Sequence, residues 1–558
     1  MRAKRMMRAG IAAALLAMSG QSLAAGGVTV VTAQRIHTMN PAQPHAQAMA
    51  YDDSGAILAL GDTAMLLKRY PQARRIDAGQ ATIVPGLIDA HGHVSELGRM
   101  RASADLTGAN AKEEVLRRLH EFVARPGNDK GWIIGWGWDQ NRWPAKEFPG
   151  AADLDAQFHD RPVWLHRIDG HAGWANGAAM KLIKRDLSGT WQPDGGKIVR
   201  DAAGKPTGVF VDGAMSLIDE VRPATTQAEI EHQLELAMGE AVANGLTGVH
   251  DAGIPLAELR AYQHLADGGK LPMRITAMAD GDSDALNELC RSGLYRHSSG
   301  RLQMRTVKLY ADGALGSRGA ALLADYSDDP GNRGIMVMSP GQLFAAETKA
   351  KRCGVQVATH AIGDRGNRIV LDTYAQVLGN DVAGGHRWRI EHAQILEAGD
   401  LHRVAKMHVI ASMQPTHATS DMPWAEDRIG PQRITGAYAW RKLRDDGVLL
   451  ALGSDFPVES VDPRLGLASA VTRADEHGLP AGGWYPEEKL TAYEALRGFT
   501  LDAAYAGFVE KEVGSLEPGK RADFVVLDKD PLAIDPAQLR ALVVRATYVD
   551  GKPVYQAK

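Results

Sequence analysis

Short apolar runs that alternate with helical patterns constrain the fold of this 558-residue chain more than any other feature. Such alternation is typical of a parallel α/β array. Polar, chemically competent residues stand at the C-terminal end of most runs, which is where a (β/α)8 barrel carries its catalytic face, whereas a doubly wound sheet more often shows glycine-rich phosphate turns. The sequence therefore predicts a (β/α)8 barrel over residues 85–504. Its eight strands are expected in TIVPGLIDAH, LTGVHDAG, MRITAMA, RTVKLYADG, VQVATH, RWRIEHAQ, HVIASMQPTH and VLLALGSDFP.

Strand patterns at both ends of the chain predict a second domain. VTVVTAQRIHTM, QAMAYDDSGAILALGD and RRIDAGQATIVPG are short alternating segments broken by Gly, Asn and Pro. GSLEPGKRADFVVLD and LVVRATYVDGKPVY behave in the same way near the C-terminus, the second with an Asp550-Gly551 hairpin signal. We expect residues 26–84 and 505–558 to pair into one small β-sandwich.

The chain between the first and second runs is far longer than one crossover helix needs. Residues from about 95 to 243 are therefore expected to form an insertion over the barrel mouth, and this segment is rich in tryptophan. A lid that walls the substrate pocket and the aromatic core of a subdomain both fit this composition. Trp132 and Trp164 have apolar neighbours and are expected in a core. The candidates for substrate binding, which stand in glycine-rich polar contexts, are Trp138, Asp139, Arg167 and His171.

Residues 1–25 have the pattern of a signal peptide: basic residues, the short apolar run 11–18, and then small residues around Ala24 and Ala25. An uncleaved amphipathic anchor is the alternative, but the run is far shorter than the roughly 20 residues that a span requires. We expect an exported protein, in a bacterial periplasm or secreted, without membrane insertion after signal removal. The net charge of −4 offers no basic stripe for nucleic acid, which favours a small-molecule substrate.

Cys290 and Cys353 are the two cysteines of the chain. Their wide separation in so long a chain does not predict a disulfide framework, and Cys353 is expected to fill the core. A CxxC-type zinc site is excluded. Any metal must therefore be held by histidine, by carboxylate or by a carboxylate-like group.

Histidine and aspartate side chains at strand ends predict a metal site. His91 and His93 follow the first run, and their two-residue spacing places both imidazoles on the same side of an extended chain. Alone, this pair could equally be a buried hydrogen-bonded pair. His360, His392 and Asp455 end the fifth, sixth and eighth runs. Burying five such groups without a metal or another partner would be costly, so we expect a divalent cation among them.

Lys308 ends the fourth run. A protonated lysine cannot ligate a cation, and one interpretation is a barrel lysine paired with a neighbour such as Asp312. The other is an N6-carboxylysine, formed with carbon dioxide, that bridges two metals. Carboxylation requires a deprotonated amine, which burial near a cation favours.

Several of these motifs together resemble a known family. PGLIDAHGH, KLYADGALGSR, THAIGDRGNR, RIEHAQ, SMQPTH and LGSDFPV, with the tail GSLEPGKRADFVVLD, are similar to the YtcJ-like branch of the amidohydrolase superfamily, which includes N-substituted formamide deformylases. The resemblance covers essentially the whole mature chain and implies a β-sandwich plus a metal-dependent barrel. It also suggests a homodimer. The ligands that it implies are His91, His93, His360, His392 and Asp455, with Lys308 as the candidate bridging carboxylysine.

Imidazole-rich ligation favours Zn²⁺, with one or two ions per chain, as the group that lowers the pKa of a bound water and polarises a carbonyl. Asp455 is predicted to take a proton from that water and return it to the leaving amine. The expected activity is hydrolysis of an amide-like C–N bond. Ester, lactone or carbamate hydrolysis, metal-assisted isomerisation or decarboxylation, and a non-hydrolytic binding or regulatory role remain alternatives.

Other polar residues near the strand ends are candidates for orienting substrate or ligands. Gln414 and His417 lie near the seventh run, and His250 and Asp251 lie in the second, although His250 could equally be barrel packing. Arg167 or Arg318 could receive a substrate carboxylate, but a surface salt bridge is the commoner fate of arginine.

Overall fold

The computed structural model describes residues 27–168, 170–193, 195–281 and 283–558. The signal peptide expected at residues 1–25 lies outside these ranges. Within them, no helix combines the length and apolarity needed to cross a bilayer.

Eight parallel strands in the described residues form a nearly closed barrel, each pairing with the next in chain order. These strands are β6 (Leu87–Gly92), β13 (Leu246–Ile254), β14 (Arg274–Asp280), β16 (Leu302–Tyr310), β17 (Gln356–Ala361), β18 (Arg389–His392), β19 (Ile410–Met413) and β20 (Leu450–Leu452). Each overlaps one of the eight predicted runs, which confirms the (β/α)8 fold. A short strand, β15 (Tyr295–Arg296), pairs antiparallel with β16. The first and last strands meet where the Asp455 N–H donates to the His91 carbonyl at 2.7 Å.

Helices connect the strands, and several begin at caps that are visible in the sequence. At the start of α7 (Gln227–Ala243), the Thr226 hydroxyl accepts from the Glu229 N–H and the Glu229 carboxylate accepts from the Thr226 N–H at 2.7 Å. The helices are α1 (Thr63–Arg69), α2 (Val94–Arg101), α3 (Lys112–Val123), α4 (Ala151–Phe158), α5 (Gly177–Met180), α6 (Ser216–Asp219), α7 (Gln227–Ala243), α8 (Leu256–Asp267), α9 (Asp284–Ser292), α10 (Pro340–Arg352), α11 (Asp364–Leu378), α12 (Ala398–Lys406), α13 (Pro415–Asp421), α14 (Ala425–Arg433), α15 (Trp440–Asp445), α16 (Pro463–Thr472), α17 (Ala492–Gly498) and α18 (Leu501–Ala506).

Strands from both ends of the chain share one sheet, in the order β23-β22-β21-β5-β1-β2-β3, with β4 beside β1. They are β1 (Val28–His37), β2 (His45–Asp52), β3 (Ile57–Gly61), β4 (Arg74–Asp77), β5 (Thr82–Pro85), β21 (Phe524–Leu527), β22 (Val544–Val549) and β23 (Lys552–Gln556). Tyr51 on β2 and Phe524 on β21 have ring centroids 6.1 Å apart although β5 and β1 lie between their strands. Three strand spacings in a flat sheet would be about 14 Å, so the sheet curls around a core between its two halves.

The chain between α2 and α7 contains a separate sheet, in the order β11-β12-β10-β9-β8-β7. Its strands are β7 (Ala104–Asp105), β8 (Ile133–Trp138), β9 (Val163–Arg167), β10 (Ala172–Ala175), β11 (Gly196–Arg200) and β12 (Pro206–Asp212). The assignment of Trp138 to substrate binding is wrong. Its side chain is fully buried in the core of this sheet, its ring lies 6.1 Å from that of Trp174, and its indole N–H donates to the Leu165 carbonyl.

Cys290 and Cys353 form a disulfide, contrary to the expectation that Cys353 only fills the core. Cys290 lies on α9 and Cys353 caps the C-terminus of α10, and their Cα atoms are 4.9 Å apart. Packing of the helices around the barrel brings together two cysteines that are 63 positions apart in the sequence.

Candidate metal centre

The mouth of the barrel brings His91, His93 and Asp455 together. His91 lies near the C-terminal end of β6, His93 follows that strand, and Asp455 follows β20. The three side chains therefore meet where the first and last barrel strands are adjacent. The Asp455 Oδ1 atom lies 3.1 Å from Nε2 of His93 and 3.5 Å from Nε2 of His91. One donor atom from each residue lies within 4.8 Å of the others, which is the arrangement that a shared cation requires.

Backbone conformation helps to aim these side chains. Asp455 has φ 62° and His392 has φ 73°, both in the left-handed region that non-glycine residues seldom occupy. Strained conformations of this kind persist where the surrounding structure fixes them, and they cluster at functional sites.

A second group of donors comprises His392, His417 and Asp455. The His417 Nε2 atom lies 3.7 Å from Oδ2 of Asp455. His392 and His417 have ring centroids 5.9 Å apart and nearly parallel planes. His360 stands next to them, with its ring centroid 4.5 Å from that of His392. The predicted ligands at the ends of β17, β18 and β20 therefore converge.

Lys308 points into the same centre and is almost fully buried. Its Nζ lies 2.9 Å from Nε2 of His91. Asp312, the neighbour considered for an ion pair, instead accepts from the backbone N–H groups of Ala321, Ile362 and Gly363. Burial lowers the pKa of the Lys308 amine below its ordinary value, which favours the neutral form that carboxylation requires.

Burial also keeps three imidazoles of the centre neutral. It lowers the pKa of His91 to about 4 and that of His360 to about 3, and the pKa of His392 lies well below its ordinary value. Burial alone would raise the pKa of Asp455, but the hydrogen bond from His93 and the charges of nearby histidines hold it well below its ordinary value. Burial lowers the pKa of His93 as well, but its hydrogen bond and charge interaction with Asp455 outweigh burial and raise that pKa above its ordinary value.

A buried acid behind His91 was missed by the sequence analysis. Glu391, which precedes His392 on β18, has its Oε2 atom 2.5 Å from Nδ1 of His91. Arg389 donates to both oxygens of Glu391, at 2.7 and 2.9 Å, and these charges hold the pKa of Glu391 well below its ordinary value despite its burial. An ionised carboxylate can only accept, so Nδ1 of His91 carries the proton and Nε2 presents its lone pair to the centre.

Gln414 contacts a histidine of this centre, and His250 contacts the arginine that holds Glu391. The Gln414 Oε1 atom accepts from Nδ1 of His392 at 2.8 Å, which leaves the Nε2 lone pair of His392 available. His250 is buried inside the barrel, where its Nδ1 accepts from Arg389 at 2.8 Å. The structure therefore gives His250 a packing position beside the Arg389–Glu391 pair.

The remaining candidates for substrate binding make contacts with residues outside this donor set. Arg167 donates to Asp139 at 2.7 Å within the insertion, and the exposed His171 lies 2.8 Å from a carboxylate oxygen of Asp212. Arg318 donates to Asp328 at 2.9 Å in the loop after β16. Their roles in substrate binding stay predictions.

The donor set fits a divalent cation. Nε2 atoms of His360 and His417 are buried and have no hydrogen-bond partner among the described residues. A buried polar atom without a partner is costly, and a bound cation would satisfy such a lone pair. Neutral imidazole and carboxylate donors are the ligands of zinc and related metals.

A barrel with His and Asp donors at the C-terminal ends of its strands defines a metal-dependent hydrolase fold. The whole structure is similar to that of an uncharacterized metal-dependent hydrolase from Pyrococcus horikoshii, with a TM-score of 0.77 and 28% identity over 91% of this chain and 99% of that one. The chain belongs to the amidohydrolase family, whose model matches residues 74–555.

Relatives that cover nearly the whole chain include two that are named as a putative amidohydrolase and as an N-substituted formamide deformylase. "Putative amidohydrolase YtcJ" of Bacillus subtilis is 36% identical over 93% of this chain and 98% of its own length. N-substituted formamide deformylase of Arthrobacter pascens is 30% identical over 93% of this chain and 97% of its own length. These likenesses confirm the resemblance that the sequence motifs indicated.

Proposed function

We propose that this chain hydrolyses an amide-like C–N bond of a small molecule, with Zn²⁺ as the metal. The carrying observation is the position of Asp455, whose carboxylate lies between His91 and His93 on one side and His417 on the other. Kinship with N-substituted formamide deformylase supports a formamide or related amide as the substrate class.

The chain's own residues would hold the cation and handle the proton. His91, His93 and Asp455 would bind one ion, and His360 and His392 would bind a second, with Lys308 as the bridging carboxylysine. A divalent metal held there supplies Lewis acidity and an acidified water. Asp455 is ionised at neutral pH and would accept the proton that the water loses when it attacks the carbonyl carbon. It would then deliver that proton to the leaving nitrogen as the C–N bond breaks, which yields a carboxylic acid and an amine.

We also propose that the protein is exported. It is supported by the pattern of residues 1–25 and by the Cys290–Cys353 disulfide, because disulfides persist mainly in oxidising compartments.

The test compares an N-substituted formamide with the formate ester of the matching alcohol, using purified full-length protein that has been stripped by a chelator and reloaded with Zn²⁺. We expect formate release from the amide that is lost on stripping and restored on reloading. Turnover of the ester alone would replace the amidohydrolase proposal with an esterase, and metal-independent turnover would contradict the role of the cation.

A further inference from the structure

The two carboxylate oxygens of Asp455 face different histidines. Oδ1 faces His91 and His93, whereas Oδ2 lies 3.7 Å from Nε2 of His417. We propose that His417 is a metal ligand, and that it forms a cation site with His392 and Oδ2 of Asp455. This inference deepens the proposed function and rests on it, because it adds a ligand to the same centre.

His417 has the properties of an unpaired ligand. It lies in the first turn of α13, directly after β19, and its N–H donates to the Gln414 carbonyl, which fixes the backbone at that turn. Its Nε2 atom is buried and lacks a hydrogen-bond partner in the described part of the chain. This nitrogen faces Oδ2 of Asp455 across 3.7 Å, where the two atoms are placed to share a cation.

His392 supplies the second nitrogen. Gln414 accepts from its Nδ1, so the lone pair of its Nε2 remains available for a metal. The near-parallel rings of His392 and His417 project from neighbouring segments, β18 and α13, toward the same carboxylate. Gln414 therefore links the two ligands, because its side chain orients one and its carbonyl anchors the other.

The spacing suits a cation. Zn–N and Zn–O bonds are about 2.0–2.2 Å long, so two donors on a tetrahedral ion are roughly 3.4 Å apart. The observed 3.7 Å between His417 and Asp455 is close to that value. The pairing of His417 with Asp455 does not involve Lys308, so it does not depend on carboxylation of that lysine.

The experiment titrates the chelator-stripped full-length protein with Co²⁺ and follows both stoichiometry and the visible absorption of the bound ion. We expect the wild type to bind two ions per chain. His417→Ala should bind one ion tightly, with affinity for the other weakened more than about 100-fold, and added imidazole should restore the second ion and its absorption. Thr416→Ala, a change in the same helical turn, should retain both ions.

His417→Gln keeps most of the side-chain volume and should also lose the second ion. It replaces His417→Ala as the test variant if His417→Ala does not fold. Two ions of unchanged affinity and spectrum in a folded His417 variant would overturn the inference, and a raised KM in that variant would then assign His417 to substrate. A wild type that saturates with one ion, which the His417 variants retain, would also overturn it and would leave hydrolysis at a one-ion centre standing. A wild type that binds no ion would contradict the proposed function itself.

Discussion

The Nδ1 atom of His91 lies 2.5 Å from Oε2 of Glu391, and both side chains are fully buried. Arg389 holds the same carboxylate from the other side. The pair sets both the proton position and the ring orientation of His91, so the metal-binding face of that histidine is controlled by a residue that cannot reach the metal.

Glu391→Gln should weaken binding of Co²⁺ or Zn²⁺ by about 10–100-fold, because the amide cannot serve as the ionised acceptor of His91 and also accept twice from Arg389. Chelator competition measures this affinity, at a temperature where the metal-free variant is folded. Glu510→Gln removes an acid that accepts from Arg387 at 2.9 Å outside the centre, and it should leave the affinity unchanged. Equal affinities in the wild type and Glu391→Gln would contradict the role given to Glu391.

Asp455→Asn should lower kcat for an N-substituted formamide by about 100–10,000-fold, since the amide can neither accept nor return the proton. Circular dichroism and metal content distinguish loss of chemistry from loss of fold or of metal. Asp427→Asn, an exposed change on α14, serves as the matched control and should retain full activity. Near-normal kcat in metal-loaded Asp455→Asn would exclude Asp455 as the proton carrier.

The strands and metal donors could be predicted because each lies where a local pattern ends. An apolar run that ends in His, Lys or Asp predicts both a strand and a polar side chain at its C-terminal end. This pattern identified His91, His360, His392 and Asp455 as candidate donors. Glu391 was missed because it lies inside the run RWRIEHAQ, where it reads as an ordinary strand residue. Two charged residues at alternate positions of a fully buried strand, Arg389 and Glu391, were the signal available.

The error at Trp138 has a physical cause. Its neighbour Gly137 suggested an open, polar pocket, but Gly137 has φ 104° and a Cβ atom there would overlap Thr107. The glycine serves close backbone packing, and the tryptophan beside it fills the core. Sequence composition alone does not distinguish a glycine that opens a pocket from one that lets two segments touch.

Asp550 links the terminal sheet to the barrel through ion pairs, and protonation of its carboxylate at low pH would weaken them. It accepts from Arg274 at 2.7 Å and from Arg301 at 2.9 Å. Burial would raise the pKa of Asp550, but Arg274 and its other arginine partners outweigh it and lower the pKa to about 2. A lowered pKa contributes stability that is present above the unfolded value of about 3.9 and is lost as pH falls through the folded value.

Asp550→Asn should therefore lower the free energy of unfolding by about 2 kcal/mol at neutral pH, and its difference from the wild type should shrink between about pH 4 and pH 2. Urea unfolding at a series of pH values measures this difference. Asp129→Asn, at an exposed position, should show no such dependence. A difference that stays constant over this range would mean that Asp550 stabilises the structure by packing and not by charge.

The Cys290–Cys353 disulfide closes a loop between residues 63 positions apart, on helices that flank the barrel strands. In the loop-entropy description, such a crosslink stabilises the folded state by about 4 kcal/mol through its effect on the unfolded chain. The double variant C290S/C353S should unfold at lower urea concentration by a corresponding amount, and a reductant should destabilise the wild type but not the variant. Alkylation followed by mass spectrometry checks the premise, because the oxidised wild type should take up no reagent before reduction. Uptake of two equivalents by the unreduced protein would show that the thiols are free, and the disulfide would then no longer support export.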